Sequence, residues 1–345
     1  MFGFSNKAIR VEIFGKTDLG RTRDHNEDRF LVADLTRKAA SLQADVRHHT
    51  IGPRGTLLVV ADGMGGAAAG ELASEMATDT IYDHLVKTWN AEEEITPQRF
   101  AYRLKEAVEV ANASIHAHAK AHPEVRGMGT TTTAAGVLND HLYLTQVGDS
   151  RAYLIRGGQA HQITKDQSLM QRLVEAGELT EEEAAHSERR NIILQALGPD
   201  PKVKVDLTHQ EVRRGDVLVL CSDGLSGQVK KEEIAKAVTD SSDLAAACDK
   251  LIALANERGG PDNITVVVAR FDGDGLRYSG SGVQEDVGHQ VYPLIDTETS
   301  TEPVPVYKGS RTPVPSKETR QQNRMLLLAL IAIIAALVWY FTRAK

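Results

Sequence analysis

The apolar run Val59-Val60-Ala61 stops at Asp62, and three glycines follow within four residues, Gly63-Met64-Gly65-Gly66. A charge at the end of a strand bound for the core, followed by backbone stripped of side chains, suits two chemistries. The glycines could wrap backbone amides around a phosphate, or the carboxylate could hold a metal ion. The stretch 63–68 does match the dinucleotide pattern G-x-G-x-x-A between a strand and a helix. Against it, Asp62 would repel a pyrophosphate. The following helix also leads into a second helix with no apolar strand between, so the ribose-binding acid has no strand end to occupy. No G-K-S/T follows these glycines, as a P-loop requires.

Other phosphate chemistries fail on spacing. A cysteine-nucleophile phosphatase needs arginine six residues after its cysteine, but Cys221 is followed there by Gly227 and Cys248 by Leu254. Asp272-Gly-Asp274 has Leu276 where an aspartyl-phosphate motif needs threonine, and Val283 where a calcium loop would close with glutamate.

The pattern of Asp62 recurs. Asp149 follows YLTQVG, Asp223-Gly224 follows LVLCS, Asp262-Asn263 precedes ITVVV, and Glu27-Asp28 precedes RFLV. Singly, each reads as an ordinary polar turn. Together they imply something more. Two carboxylates 4 Å apart repel by about 1 kcal/mol in water and about 4 kcal/mol at an effective dielectric near 20. A converging set needs a compensating cation, and oxygen ligands without His or Cys select Mg²⁺ or Mn²⁺. On this reading Asp62 is a ligand. The glycine after it lets a backbone carbonyl face the metal and leaves room for a bulky substrate.

The elements that must position these residues are short strands rich in Val, Leu, Ile and Thr: 9–14, 29–32, 56–61, 130–138, 141–147, 152–156, 203–208, 216–221 and 265–271. Asn139-Asp140 predicts a tight hairpin between 130–138 and 141–147. Gly148-Asp149-Ser150 predicts a second hairpin, joining 143–147 to 151–156. Helical periodicity covers 67–89, 97–121, 169–176, 180–185, 231–238 and 243–257, with Thr96 as cap and Pro97 in the first turn of the second. Strands arriving in hairpins argue for an α+β fold of antiparallel sheets with helices outside, not a doubly wound parallel sheet.

Composition is that of a globular chain, 41% hydrophobic and 25% charged in 345 residues. Net charge is −7, and no basic stripe interleaves with aromatics, so nucleic-acid binding is not expected. Two cysteines build neither a disulfide framework nor a zinc site. The folded domain is expected over 1–272 and in the cytoplasm, since the N-terminal stretch lacks a signal-peptide core. Residues 273–324, rich in Ser, Thr, Pro and Gly, read as a flexible linker with a reach of roughly 40 Å. Residues 325–341, MLLLALIAIIAALVWYF, form an uncharged apolar run of about 25 Å as a helix, expected to be a single-pass transmembrane anchor before a short tail, 342–345. Lys317, Arg320 and Arg324 outnumber Arg343 and Lys345 across it, which places the domain on the cytoplasmic side.

The ordered motifs RTRDHNEDRF, VVADGMGGAAAGELAS, GTTTTAA, VGDSRAYLI, TKDQSLMQRLVEAGELT, RRNIILQALG, CSDGLSG and GGPDNITVVV resemble the metal-dependent protein phosphatases, the protein phosphatase 2C family, in its bacterial branch. The resemblance spans nearly all of residues 10–271. It implies an α/β/β/α sandwich of two antiparallel sheets, and hydrolysis of phosphoserine and phosphothreonine on proteins with two Mn²⁺ or Mg²⁺ ions. By motif, Asp62 would bridge both ions, Asp223 and Asp262 would complete one site, and the Gly63 carbonyl with Glu27 the other. Asp28, counted with the metal site, would orient metal-bound water. Asp149 with Asp223 matches a third, weaker metal site. Arg23 would bind substrate phosphate, and Asn263 would support Asp262 or a water. Met64 stands where some members carry histidine, which leaves metal-held water or His25 as proton donor, and Gln167 replaces another family histidine. The charged segment 166–198 corresponds to a mobile flap that helps choose substrates, with a solvated helical face as its plainer reading. Phosphorylated proteins, a cognate Ser/Thr kinase and the membrane are the expected partners. The alternative is a catalytically inactive fold used as a regulatory or binding module, which loss of Asp62, Asp223 or Asp262 would favour; all three are present.

Overall fold

A computed structural model describes residues 8–41, 44–278 and 287–294. The runs rich in β-branched residues become strands: β1 (Arg10–Asp18), β2 (Asp28–Asp34), β3 (Ala39–Ala40), β4 (His48–Thr50), β5 (Thr56–Met64), β6 (Gly129–Thr130), β7 (Thr132–Leu138), β8 (His141–Val147), β9 (Arg151–Arg156), β10 (Gln159–Gln162), β11 (Asp206–Glu211), β12 (Val217–Cys221) and β13 (Ile264–Asp272). One sheet has the order β10-β9-β12-β13-β1-β4, the other β11-β8-β7-β5-β2-β3, and every named pairing is antiparallel. The central strands β7 and β12 are buried along their whole length. That is why they read as continuous apolar and Thr runs and not as alternation.

The helices are α1 (Ala44–Arg47), α2 (Ala67–Lys87), α3 (Pro97–Ala121), α4 (Leu169–Glu175), α5 (Glu181–Ala185), α6 (Asp223–Ser226), α7 (Lys231–Asp240) and α8 (Leu244–Glu257). Thr96 caps α3 by accepting the Arg99 amide at 3.3 Å, with Pro97 in the first turn, as expected. Three apolar layers result. Leu57, Val59, Phe100 and Leu104 fill the space between the second sheet and α2 with α3. Val60, Leu144, Leu154 and Val267 fill the space between the sheets. Val219, Ile234, Leu251 and Val268 lie between the first sheet and α7 with α8. The result is the helix–sheet–sheet–helix sandwich of an α+β fold.

Three expectations are corrected. The hairpin expected at Gly148-Asp149-Ser150 does not form. Both edges of β8 are taken, by β7 and β11, so the chain crosses from the second sheet to the first at these residues. The strand expected over 203–208 pairs over Asp206–Glu211 instead. Residues 287–294, read as linker from composition, lie along β11: the His209 amide donates to the Gln290 carbonyl and the Tyr292 amide to the Leu207 carbonyl, each at 2.9 Å. No helix among the described residues is long and apolar enough to cross a membrane. The expected anchor, 325–341, lies outside the described residues, as do most of the expected linker and the tail.

Candidate functional site

The expected site residues gather where the two sheets meet. β2 and β5 run antiparallel with Asp28 directly opposite Asp62, an arrangement of like charges that destabilises a sheet unless something compensates. β5 does not end at Asp62 as expected. It continues to Met64, because Gly63 and Met64 pair with β6. The threonine run holds Asp62 in place. Its carbonyl accepts from the Thr131 amide at 2.8 Å and the Thr130 hydroxyl at 2.9 Å, and its amide donates to the Thr131 hydroxyl at 3.2 Å.

Gly63 is required by close approach: an added Cβ would collide with the backbone carbonyls of Gly70 and Glu27. Gly224 is the same kind of residue. A Cβ there would strike the Asn263 carbonyl, so this glycine brings the Asp223 turn against the Asp262 turn. Asp223 starts α6 at the end of β12, and Asp262 lies just before β13. Asp149 sits on the crossover between the sheets. Two carboxylates thus come from each sheet and one from the passage between them.

Their electrostatics agree with that placement. Burial first, then neighbouring carboxylates, pushes Asp28 up to about 7 and Asp149 up to about 8. Asp62 is driven well above the usual carboxylate range by burial and by Asp28, Asp223, Asp149 and Asp262. Asp223 is raised by burial and Asp262, offset by a hydrogen bond with Asp62. Glu27 is raised chiefly by burial. The Oδ1 atom of Asp28 is buried without a hydrogen-bond partner, while its Oδ2 accepts from the Ser222 hydroxyl at 2.7 Å. A carboxylate oxygen buried without a donor among mutually repelling carboxylates has the chemistry of a ligand in an all-oxygen cation site. The donor set fits Mn²⁺ or Mg²⁺. Among the described residues no three acidic, His or Cys side chains stand close enough together, as placed, to hold one ion.

Arg23, on the loop between β1 and β2, pairs through Nη2 with Asp262 Oδ2 at 2.8 Å and stays half exposed at the mouth of the group. Asn263 reaches Asp262 with its backbone, and its side chain reaches elsewhere. Its Oδ1 accepts the Glu27 amide at 2.8 Å, and its Nδ2 donates to the carbonyls of Leu19 at 3.0 Å and His25 at 2.9 Å. The side chain is committed to the backbone of the 19–27 loop, so Asn263 is a positioning residue. Toward Asp262 it offers its backbone amide, which donates to Oδ1 at 2.8 Å, while Arg23 holds Oδ2. Gln167 also serves structure, accepting the Gly148 amide at 3.0 Å beside the crossover. His25 is exposed.

From this group a groove of about 770 Å³ leads away. Asp149, Asp223 and Asp262 line it, as do Met170, Val174 and Arg190 of the segment 166–198. That segment holds α4 and α5 and closes on itself, with the Leu169 amide donating to the Ile192 carbonyl and the Leu194 amide to the Gln167 carbonyl. A forked pair anchors its base: Arg151 donates to Asp166 through Nε at 3.0 Å and Nη2 at 2.7 Å.

A family model described as Protein phosphatase 2C matches residues 36–264, over half of the chain. The chain belongs to this family. With the family comes its enzyme class, the metal-dependent protein serine/threonine phosphatases. The chain is similar to the serine/threonine phosphatase stp of Listeria innocua, 35% identical over 253 residues, which is 73% of this chain and 93% of that one. It is 39% identical over 254 residues to the serine/threonine protein phosphatase PstP of Mycobacterium tuberculosis, covering 74% of this chain and 44% of that longer one. A solved structure of the catalytic domain of PstP in complex with two manganese ions superposes with a TM-score of 0.61 at 37% identity, covering 76% of this chain and 99% of that domain. The fold read from strand patterning is therefore that of the protein phosphatase 2C family.

Sequence reasoning passed over the residues that hold the carboxylates. Ser222 links Asp28 to β13, since its hydroxyl oxygen accepts the Thr265 amide at 3.0 Å. Thr130 and Thr131 stood in the quoted motif GTTTTAA, but nothing local in it says that they hold Asp62. Arg151 and Asp166 stood in quoted motifs, but their pairing is long-range and leaves no local mark.

Proposed function

We propose that the protein hydrolyses phosphoserine and phosphothreonine on other proteins, using two Mn²⁺ or Mg²⁺ ions held by Asp62, Asp223, Asp262, Glu27 and the Gly63 carbonyl, with Asp149 and Asp223 able to take a third. The observation that carries this reading is the Asp28–Asp62 cross-strand pair with its unpartnered Asp28 oxygen, surrounded by Asp149, Asp223 and Asp262. Bound there, the ions would supply an acidified water and positive charge against the phosphoryl oxygens. The chain does the rest. Asp28, fixed by Ser222, accepts a hydrogen bond from the attacking water and sets its direction; as the new P–O bond forms, the bond to the serine or threonine oxygen breaks, and that oxygen leaves as the alcohol with a proton from water. Arg23, already drawn to the site by Asp262, offers a planar donor fork to the phosphate. Asn263 keeps the Arg23 loop in register. The groove receives the peptide on either side of the phosphorylated residue. The phosphatase domain is tethered to a membrane through 325–341 and works on its cytoplasmic face, with a membrane-bound kinase as the opposing enzyme; the uncharged apolar run and the flanking Lys and Arg support this.

Full-length protein in detergent, given a phosphothreonine peptide, should release phosphate with Mn²⁺ but not with EDTA. Asp62→Asn should lower the rate at least about a hundredfold. Release that survives both EDTA and Asp62→Asn would refute the site. Fractionation of cells expressing the full chain, and a chain ending at residue 306, should find only the former in membranes.

A further inference from the structure

The family model ends at residue 264, yet chain beyond the last strand returns to the domain. Residues 287–294 run antiparallel beside β11, the edge strand of the second sheet, with Val291 bridged to Thr208. Besides the two backbone bonds to Leu207 and His209, the Gly288 amide donates to Gln210 Oε1 at 3.4 Å. Tyr292 sets its ring edge-on against Tyr143 at 5.3 Å and against His209 at 5.1 Å, and with Leu294 packs on the apolar layer beneath α2 and α3. An edge strand left open invites pairing with other chains, and this segment closes it.

The other end of the segment reaches the groove. Val287 packs on the layer between the sheets and lines the groove with Ala160, Met170 and Val174. His289 lies among Asp206, Lys165 and Glu175, close enough for each to act on its charge. Lys165 and Glu175 are themselves paired at 2.7 Å, joining the loop after β10 to α4. One stretch of eight residues therefore lies along the sheet edge and lines the groove together with residues of the flap.

We infer that residues 287–294 belong to the catalytic module as a strap. Tyr292 pins the strap to β11, and Val287 completes the wall of the substrate groove where the flap joins it. Peptide recognition then depends on chain outside the family fold, while the chemistry at the carboxylates does not. Val287 is a specificity-determining residue, and Tyr292 a positioning residue that acts through it. This rests on the groove being the peptide path of the phosphatase reading.

The test uses full-length protein and two variants. Tyr292→Ala removes the ring, and Tyr292→Pro removes the ring and the amide that pairs with Leu207. Two substrates are compared with Mn²⁺, a phosphothreonine peptide of about ten residues and p-nitrophenyl phosphate, which carries no peptide to lay along the groove. Amide exchange over 288–294 reports strap docking. The expected result is faster exchange in both variants and a peptide KM raised about three- to tenfold, as for loss of one partly buried apolar contact. The kcat/KM for p-nitrophenyl phosphate should stay within about twofold. Faster exchange with an unchanged peptide KM would overturn the inference, and so would unchanged exchange in both variants. An equal fall on both substrates would also overturn it, because the strap would then act on the carboxylates. Wild-type protein inert towards both substrates would instead refute the phosphatase reading on which the inference stands.

Discussion

Replacing Asp28 by asparagine should stabilise the metal-free protein while removing its activity. In the fold, burial and then the nearby charges of Asp223 and Asp262 lift Asp28 to about 7 from its ordinary value of 3.8. The unfolded chain ionises this group near pH 4, so between pH 4 and 7 the folded state holds a proton that the unfolded state has lost. Stability therefore falls as pH rises through that window and stays low above it. A gap of about 3 units at about 1.4 kcal/mol each sets a ceiling of about 4 kcal/mol. Asparagine keeps an oxygen to accept from the Ser222 hydroxyl and turns an amide towards the remaining carboxylates. About half the ceiling, roughly 2 kcal/mol, should appear as a gain at pH 8, which is about 4–8 °C in Tm for a domain of this size. At pH 5, where wild-type Asp28 already holds its proton, the gain should shrink below about 1 kcal/mol. Thermal melts in EDTA at pH 5 and pH 8 measure it. With saturating Mn²⁺ the order should reverse, because the variant binds the ions less well. No gain at pH 8, or the same gain at both pH values, would show that Asp28 is not a strained carboxylate and would remove the main support for the cation site.

Metal itself should act as a stabilising ligand: Mn²⁺ at a hundred times its Kd is worth about 2.7 kcal/mol, so melts with Mn²⁺ and with EDTA should differ by about 5–10 °C, and coincident melts would count against binding. Gly63→Ala drives a Cβ into the Gly70 and Glu27 carbonyls; it should cost about 1–3 kcal/mol by urea unfolding and displace Asp62 enough to lower kcat at least about tenfold, so a fully active variant would show that the close approach is not needed. Arg156 pairs with the fully buried Asp216 at 2.6 Å, far from the carboxylates; Arg156→Ala should cost about 3–5 kcal/mol yet leave phosphate release per folded molecule unchanged, as read by urea unfolding beside the peptide assay.

The carboxylates were legible because each one borders an apolar run, as Asp-Gly after a strand at Asp62 and Asp223 and as Asp-Asn before one at Asp262, which are local signals. The α3 cap and the β7–β8 turn were legible for the same reason: Thr96-Pro97 and Asn139, which adopts a positive φ of 53°, need no distant partner. What could not be read depends on partners far along the chain. Gly148-Asp149-Ser150 has the chemistry of a hairpin, and only occupation of both edges of β8 turns it into a crossover. Val203 and Val205 look like strand residues because they pack on the core, but ladder pairing begins at Asp206. β4 and β10 are HHT and QAHQ, outer strands with no apolar pattern. The strap VGHQVYPL was averaged into a polar stretch, although its one tyrosine decides where it lies. Asn263 was found by motif, while its task, three bonds to loop backbone, was not.

The pairing of β1 with β13 has a consequence for the birth of the enzyme. The two strands lie side by side from Arg10↔Asp272 to Asp18↔Ile264, and the ion pair between Arg23 and Asp262 joins residues 239 apart. On a ribosome adding about 5–20 residues each second, β1 waits some tens of seconds before β13 has been made. Until then the first sheet lacks its middle, and the loop carrying Arg23 and Glu27 has no Asn263 to hold it. A chain that stops short of Ile264 therefore lacks the middle of the first sheet and should release no phosphate until that strand is made and paired.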